Sequence, residues 1–231
     1  RLTADMATDV PQVASRVFNG YARVHEADGS LKRETYAFGN GGAFDFAMVD
    51  GDGVEALTFQ QITRDLAPVL ARQGYVPATN PDSADLLILV MWGATRITTG
   101  KPDNYRQIEK QNIQILGFQD DVDKARSLSF TTFARDFLDE LEAGRYFVVL
   151  KAYDFKTAWK EKRRLIKWET RFSIRRQGSD FVEQLPLMAS YAAGTFGTET
   201  HGLIRPRDVP RGEVRLDETK YGEAVEKKAT K

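Results

Sequence analysis

The chain has no cysteine and only two histidines, His25 and His201, in 231 residues. The first absence excludes disulfides, thiol nucleophiles and cysteine-ligated zinc or iron–sulfur centres. The second leaves any transition-metal site to lean on carboxylates, and no His-x-x-x-His or Glu-x-x-His spacing supplies one. No metal or cofactor is therefore expected. Long apolar runs are also missing. The longest, LLILVMW from Leu86 to Trp92, falls far short of the ~20 residues that cross a bilayer as a helix. Charge of one sign is not in excess either: 33 Lys plus Arg meet 33 Asp plus Glu, so no overall field draws the chain toward nucleic acid or an anionic membrane. There is no G-x-S-x-G elbow or Ser-x-x-Lys pair to mark an activated nucleophile, no internal repeat and no low-complexity tract.

What remains is the composition of a globular protein, 42% hydrophobic and 29% charged. A chain of this size buries ~70% of its unfolded surface when it folds as one unit. Around Asp28-Gly29, the segment from Tyr21 to Phe38 alternates as a hairpin does. From Val54 to Gln73 the period becomes helical: Leu57, Ile62, Leu66, Val69 and Leu70 share a face, Pro68 marks a kink or end, and Gly74 is a stop. The unbroken run Leu86 to Trp92 predicts a central strand buried on both faces. In the polar section from Gly100 to Gly144, the residues Phe130, Phe133, Phe137 and Leu141 recur at helical spacing ahead of a glycine cap at Gly144.

Two further strands follow, Phe147 to Phe155 and Leu165 to Ile174, joined by a charged turn from Lys156 to Arg163. In the second, Ile166, Trp168, Thr170, Phe172 and Ile174 alternate with Lys167, Glu169, Arg171, Ser173 and Arg175, which predicts one buried and one wet face. Asp180 and Glu183 stand in capping-box spacing before a helix carrying Phe181, Leu185, Met188 and Tyr191. The expected fold is α+β or α/β: a two- or three-layer sandwich whose mixed sheet includes Ala43 to Val49, with helices packed on it and a helical insert. Its organisation is an N-terminal arm and hairpin over 1–35, a single α/β domain over 36–216 with the insert at about 100–144, and a flexible tail over 217–231. GEVRLDE, from Gly212 to Glu218, is a further candidate strand.

The segments WETRFSIR, DFVEQLPLMASYAAGTFG and LARQGYVPATNPDSADLLILVMWGAT resemble an uncharacterised family of bacterial lipoproteins built on a domain of unknown function. In that family a helix ending in Gly-Tyr or Gly-Phe leads through an Ala-Asp loop to an apolar strand. The resemblance covers about Tyr36 to Leu216. More loosely, the element order is similar to the α/β domain of envelope accessory lipoproteins, among them the curli-secretion lipoprotein and the lipoprotein activators of penicillin-binding proteins. The resemblance implies an α/β sandwich in the cell envelope, periplasmic or tethered through a lipidated cysteine upstream of Arg1, and it brings no active site. A chain opening on arginine rather than methionine is expected to be a mature or trimmed form.

Each candidate site has a plainer alternative. YAFGNGGAFDF, Tyr36 to Phe46, lacks the Gly-Lys-Ser/Thr of a P-loop, and Phe44 stands where a dinucleotide fingerprint needs its third glycine. Its glycines are expected to bend the chain between the hairpin and the next strand. Asp50, Asp52 and Glu55 suggest calcium, but Val54 and Glu55 occupy the fifth and sixth loop positions, so the preferred reading is a turn capping the next helix through Asp52 or Gly53. Asp120, Asp121 and Asp123 read as a solvated helix start. The strongest asymmetry is basic: from Lys151 to Arg176 there are ten Lys or Arg against Asp154, Glu161 and Glu169. Arg163, Lys167, Arg171 and Arg175 are expected on the outer strand face, with Trp159 and Lys160 nearby. Such a face meets an envelope protein or an anionic envelope component, with nucleic acid disfavoured and a plain solvated sheet face as the competing reading. The expected function is a non-enzymatic envelope structural or interaction domain. The alternatives are a small-ligand receptor or hydrolase with a site invisible in sequence, and an anionic-polymer or nucleic-acid binder acting through residues 163–176.

Overall fold

The apolar run at Leu86 organises the molecule. In the computed structural model, which describes residues 10–45, 54–80, 83–98, 103–128 and 132–204, it forms β4 (Leu86–Ala94) within a seven-stranded sheet of order β3-β2-β4-β5-β6-β1-β7. The other strands are β1 (Gln12–Val17), β2 (Glu34–Asp45), β3 (Tyr75–Pro77), β5 (Arg145–Asp154), β6 (Ile166–Arg175) and β7 (Leu203–Ile204). β2 is parallel to β3 and β4, and every other neighbouring pair is antiparallel. The helices are α1 (Phe59–Arg72), α2 (Tyr105–Leu116), α3 (Gln119–Ser127), α4 (Thr132–Glu142), α5 (Phe155–Lys160) and α6 (Phe181–Ala192). The α+β class with a mixed sheet holds, and the insert is the α2–α4 group between β4 and β5.

One sheet face is closed. Leu86, Ile88, Val90, Trp92 and Ala94 are buried beneath α1 and α6 together with Val148, Leu150, Trp168 and Phe172. α1 buries Ile62, Leu66, Val69 and Leu70, the stripe its periodicity predicts. It starts later than Val54: Thr58 is the N-cap, and its side chain and that of Gln61 cap each other's backbone N–H groups. The caps expected at Asp52 or Gly53 lie outside the described residues. Pro68 neither ends the helix nor touches the core, because it sits on the exposed side. α6 follows its expectation, with Asp180 accepting from the Glu183 N–H and Phe181, Leu185 and Met188 buried.

The opposite face is covered only in part. The insert packs Ile113, Leu116, Phe118, Val122, Phe137 and Leu141 onto Phe147 and Val149, whereas Leu87, Leu89 and Met91 stay half-buried. Burial of β4 on both faces, as expected, is complete on one face and partial on the other. The side chains of residues 132–136, including Phe133, and all of Phe130 lie outside the description.

The glycine-rich stretch is a correction. GNGG does not bend the chain away from the sheet: β2 runs through it, taking up one residue in a bulge between Asn40 and Gly42. Gly42 has φ +99, which favours glycine, and the Asn40 Oδ1 accepts its N–H at 2.9 Å. The last strand residues expected, 46–49, and the candidate strand Gly212 to Glu218 lie outside the described residues. The hairpin around Asp28-Gly29 narrows to one bridge, His25 with Leu31, because the chain from Glu34 pairs with β3 and β4 instead. β1, in the region read as an arm, pairs with β6 along its whole length. The charged turn from Lys156 contains α5, whose N-terminus Asp154 caps. Gly144 has no positive φ; its missing Cβ matters because one would sit 3.0 Å from the Thr95 carbonyl oxygen.

A Cβ at Gly93 would lie 1.7 Å from the Phe44 carbonyl oxygen, so β2 and β4 reach their spacing only with glycine there. A Cβ at Gly39 would instead meet the Leu89 Cδ2 at 2.4 Å, the far end of a half-buried side chain that can swing aside. Gly93→Ala is expected to cost about 2–3 kcal/mol or more and Gly39→Ala less than about 1 kcal/mol. Urea unfolding of the two variants checks the contrast, and equal losses would contradict it.

Candidate functional site

At the end of the sheet where β2 and β4 begin and β5 stops, the returning N-terminal segment leaves a cleft of about 410 Å³. Its walls are Gly20–Ala22 and Val24, then Lys32–Glu34, Asp85 and Leu86, Asp154, Lys156 and Lys167. Four cations thus face three carboxylates, and each carboxylate already holds a hydrogen bond or an ionic contact. Glu34 accepts from the Tyr21 hydroxyl at 2.6 Å and lies 3.5 Å from the Arg23 Nη1, an ionic contact rather than a hydrogen bond. Asp85 accepts from the N–H and hydroxyl of Thr35 at 2.9 and 2.8 Å. Asp154 caps Thr157 at 2.9 Å and lies 3.5 Å from Lys167. Burial pushes the Asp154 carboxyl upward, but the Thr157 cap and Lys167 outweigh it and hold it below the usual aspartate range. Lys32, Arg33 and Lys156 form no ion pair among the described residues, so the cleft is locally positive.

A buried cluster fixes the wall that carries Lys32 and Arg33. Tyr21 and Tyr75 share a hydroxyl–hydroxyl contact at 3.1 Å, and the Arg23 guanidinium stacks 4.0 Å above the Tyr75 ring. Arg23 also donates to the carbonyls of Lys32 and Gln73. Burial, joined by the neighbouring Tyr75 and Glu34, drives the Tyr21 hydroxyl far above its ordinary value, so it remains a proton donor.

The six residues singled out from sequence separate in space. Trp159 and Lys160 lie on α5, where Trp159 is 58% exposed, stacks on Phe155 and carries Lys162 4.9 Å from its ring centre. Arg163 pairs with Glu161 at 2.6 Å in the loop that follows. Lys167 lines the cleft. Arg171 and Arg175 do not stand on a wet face, because the insert covers that part of β6: Glu169 and Ser173 beside them are buried, and the Arg175 Nε is enclosed. Arg171 donates to the carbonyls of Gln114 and Ile115, closing the C-terminus of α2, and to Glu169 at 2.6 Å. Lys32, Arg33 and Lys156 were missed. Lys32 and Arg33 show in the sequence only as a dibasic pair on the return from Asp28-Gly29, far from residues 151–176, whereas Lys156 lies within that basic stretch but was not singled out.

Among the described residues no group of three His, Asp or Glu side chains is placed to hold a metal ion, and no helix is long and apolar enough to cross a membrane. No family model matches the chain, and no curated protein matches it. Similar solved structures include a PDZ domain protein from Parabacteroides distasonis, 15% identical over 86% of this chain, with a TM-score of 0.40. The chain spans 39% of that protein's length. PelC from Paraburkholderia phytofirmans, crystallised as a dodecamer, is 8% identical over 82% of this chain and 99% of its own, with a TM-score of 0.36. A DUF4136 family protein from Bacteroides thetaiotaomicron is 13% identical over 82% of this chain and 98% of its own, with a TM-score of 0.37. Likenesses at this level transfer no role.

Glu169 takes Arg171 and, at 2.9 Å, Lys151 on its two oxygens. Burial raises its carboxyl and the two cations outweigh that, leaving it below the ordinary 4.5. A depressed folded value means stabilisation present above the unfolded value and lost as pH falls through the folded one. Glu169→Gln is expected to cost about 2–3 kcal/mol at pH 7, since it strands two cations at a covered site. The gap to wild type should shrink below about pH 4.5. Denaturant unfolding at pH 7 and pH 3.5 measures both, and a gap that does not depend on pH would contradict the assignment.

Proposed function

We propose that the chain is a non-enzymatic interaction domain of the cell envelope that engages an anionic partner through the cleft at the start of β2 and β4. The observation that carries this reading is the trio Lys32, Arg33 and Lys156, three cations lining a concave site without a carboxylate partner among the described residues. Desolvating an anion there is offset by charge already in place. Commitment of Glu34, Asp85 and Asp154 to caps and hydrogen bonds supports binding over proton transfer. Lys167, 3.5 Å from Asp154, is the one member of the surface expected from sequence that lines the cleft. The envelope location rests on the resemblance of the segments around Leu86, Trp168 and Phe181 to bacterial lipoproteins.

Inorganic polyphosphate, a polyanion with neither base nor sugar, is the first probe. Binding is expected at low ionic strength, weakening as salt rises, with the triple substitution Lys32→Gln, Arg33→Gln, Lys156→Gln reducing affinity roughly tenfold or more. Unchanged affinity in that variant would remove the cleft from the reading. Stronger retention on duplex DNA than on polyphosphate at equal charge would favour nucleic acid instead. Fractionation of cells producing the full gene product tests the location, and recovery in the cytosol overturns it.

A further inference from the structure

A second concavity lies on the partly covered sheet face, independent of the cleft. Its floor is Met91, Phe147 and Val149, its walls are Ile115 of α2 and Phe44 of β2, and Lys151 and Arg171 stand at its rim. The volume is about 210 Å³. Enclosed apolar cavities of ~150 Å³ admit benzene, while drug-sized ligands need ~300 Å³ or more, so the space suits a narrow apolar group. Phe44 is 38% exposed and Met91 half-buried, which leaves apolar surface uncovered beside the docked insert. Beside it, the Leu89 and Met91 side chains lie over Gly39 and Gly41 of the adjoining strand, each 2.4 Å from where a Cβ would stand. At the rim, Lys151 and Arg171 share the carboxylate of Glu169, so among the described residues one positive charge is left over.

We infer that this groove binds a single unbranched aliphatic chain carrying a carboxylate, the chain lying over Met91 and Phe147 and the carboxylate meeting Lys151 at the rim. An aliphatic chain matches the width and the apolar floor, and a head group of one negative charge matches the residual charge. A folded partner segment, with side chains on all sides, does not fit this volume.

Isothermal titration of the whole chain with hexanoate, octanoate and decanoate, all below their micelle concentrations, tests the site. Saturable 1:1 binding is expected, strengthening about fourfold per added methylene until the groove is full and then levelling off. Decan-1-ol is expected to bind more weakly than decanoate. Lys151→Gln should lower decanoate affinity several-fold while leaving decan-1-ol unchanged, a separation that general destabilisation would not produce. Met91→Glu should abolish both, and Ile115→Glu on the wall of the groove serves if that variant does not fold. Absence of saturable binding, or no chain-length dependence, overturns the inference. So does a concentration-dependent dimer, seen by analytical ultracentrifugation, that Met91→Glu abolishes, because the groove would then be covered by a second copy.

Discussion

The distance between β2 and β4 is the constraint from which both faces of the sheet follow. The two strands pair in parallel over nine positions from Tyr36–Leu86 to Asp45–Ala94, and at the far end the Phe44 carbonyl occupies the place of a Cβ on Gly93. The pairing fixes where β2 starts, and so where Lys32 and Arg33 come to rest over the cleft. It also sets how β2 meets the core: Tyr36 is buried on the closed face, while Gly39 and Gly41 face the half-covered one. The bulge at Asn40–Gly42 absorbs one residue without breaking the register on either side. It also interrupts the edge of β2 that β3 leaves unpaired among the described residues, which makes that edge a poor template for another strand.

The Glu169 network does for the insert what the glycines do for the strands. Arg171 stops being a surface charge when its guanidinium reaches the carbonyls of Gln114 and Ile115, the orphan acceptors at the end of α2. Glu169 holds that guanidinium in place and is itself balanced by Lys151 across the β5–β6 pair. An ion network of this kind is weak evidence for net stability, because two cations and an anion have lost water to form it. Its effect is positional: it sets where α2 ends, and hence how far the insert extends over β4.

Elements whose cause is local were legible in the sequence. β6, α1 and α6 follow from periodicity, because burial of one face writes a period into the chain, β4 from its unbroken apolar run, and the Asp180 cap from its spacing to Glu183. What failed was non-local. The alternation in β6 separates Trp168 from Arg171 correctly, yet it cannot tell a wet face from one covered by a helical insert whose Gln114 lies 57 residues earlier in sequence. β1 has too little pattern in QVASRV to stand out, and it becomes a strand because β6 offers it a complete ladder. The glycines of β2 read as a bend since their reason is the approach of another strand, visible only once β4 is beside them. The cleft assembles Lys32, Asp85, Asp154 and Lys167 from four separate stretches, so local charge counting found only the last of them as a site residue.

The half-open face follows from the same packing. Larger residues at 39 and 41 would be the simple way to cover Leu89 and Met91, but a Cβ at either position lies 2.4 Å from those side chains as they stand. Covering the trough from β2 therefore means displacing the side chains it would cover, and covering it from the insert means extending α2 past the point where Arg171 closes it. Apolar surface is left exposed there because the two interactions that hold the sheet and the insert together both stop at its borders. A chain with no net charge and no long apolar run thus carries local patches of both kinds, a positive cleft at the start of β4 and an apolar groove further along the same strand.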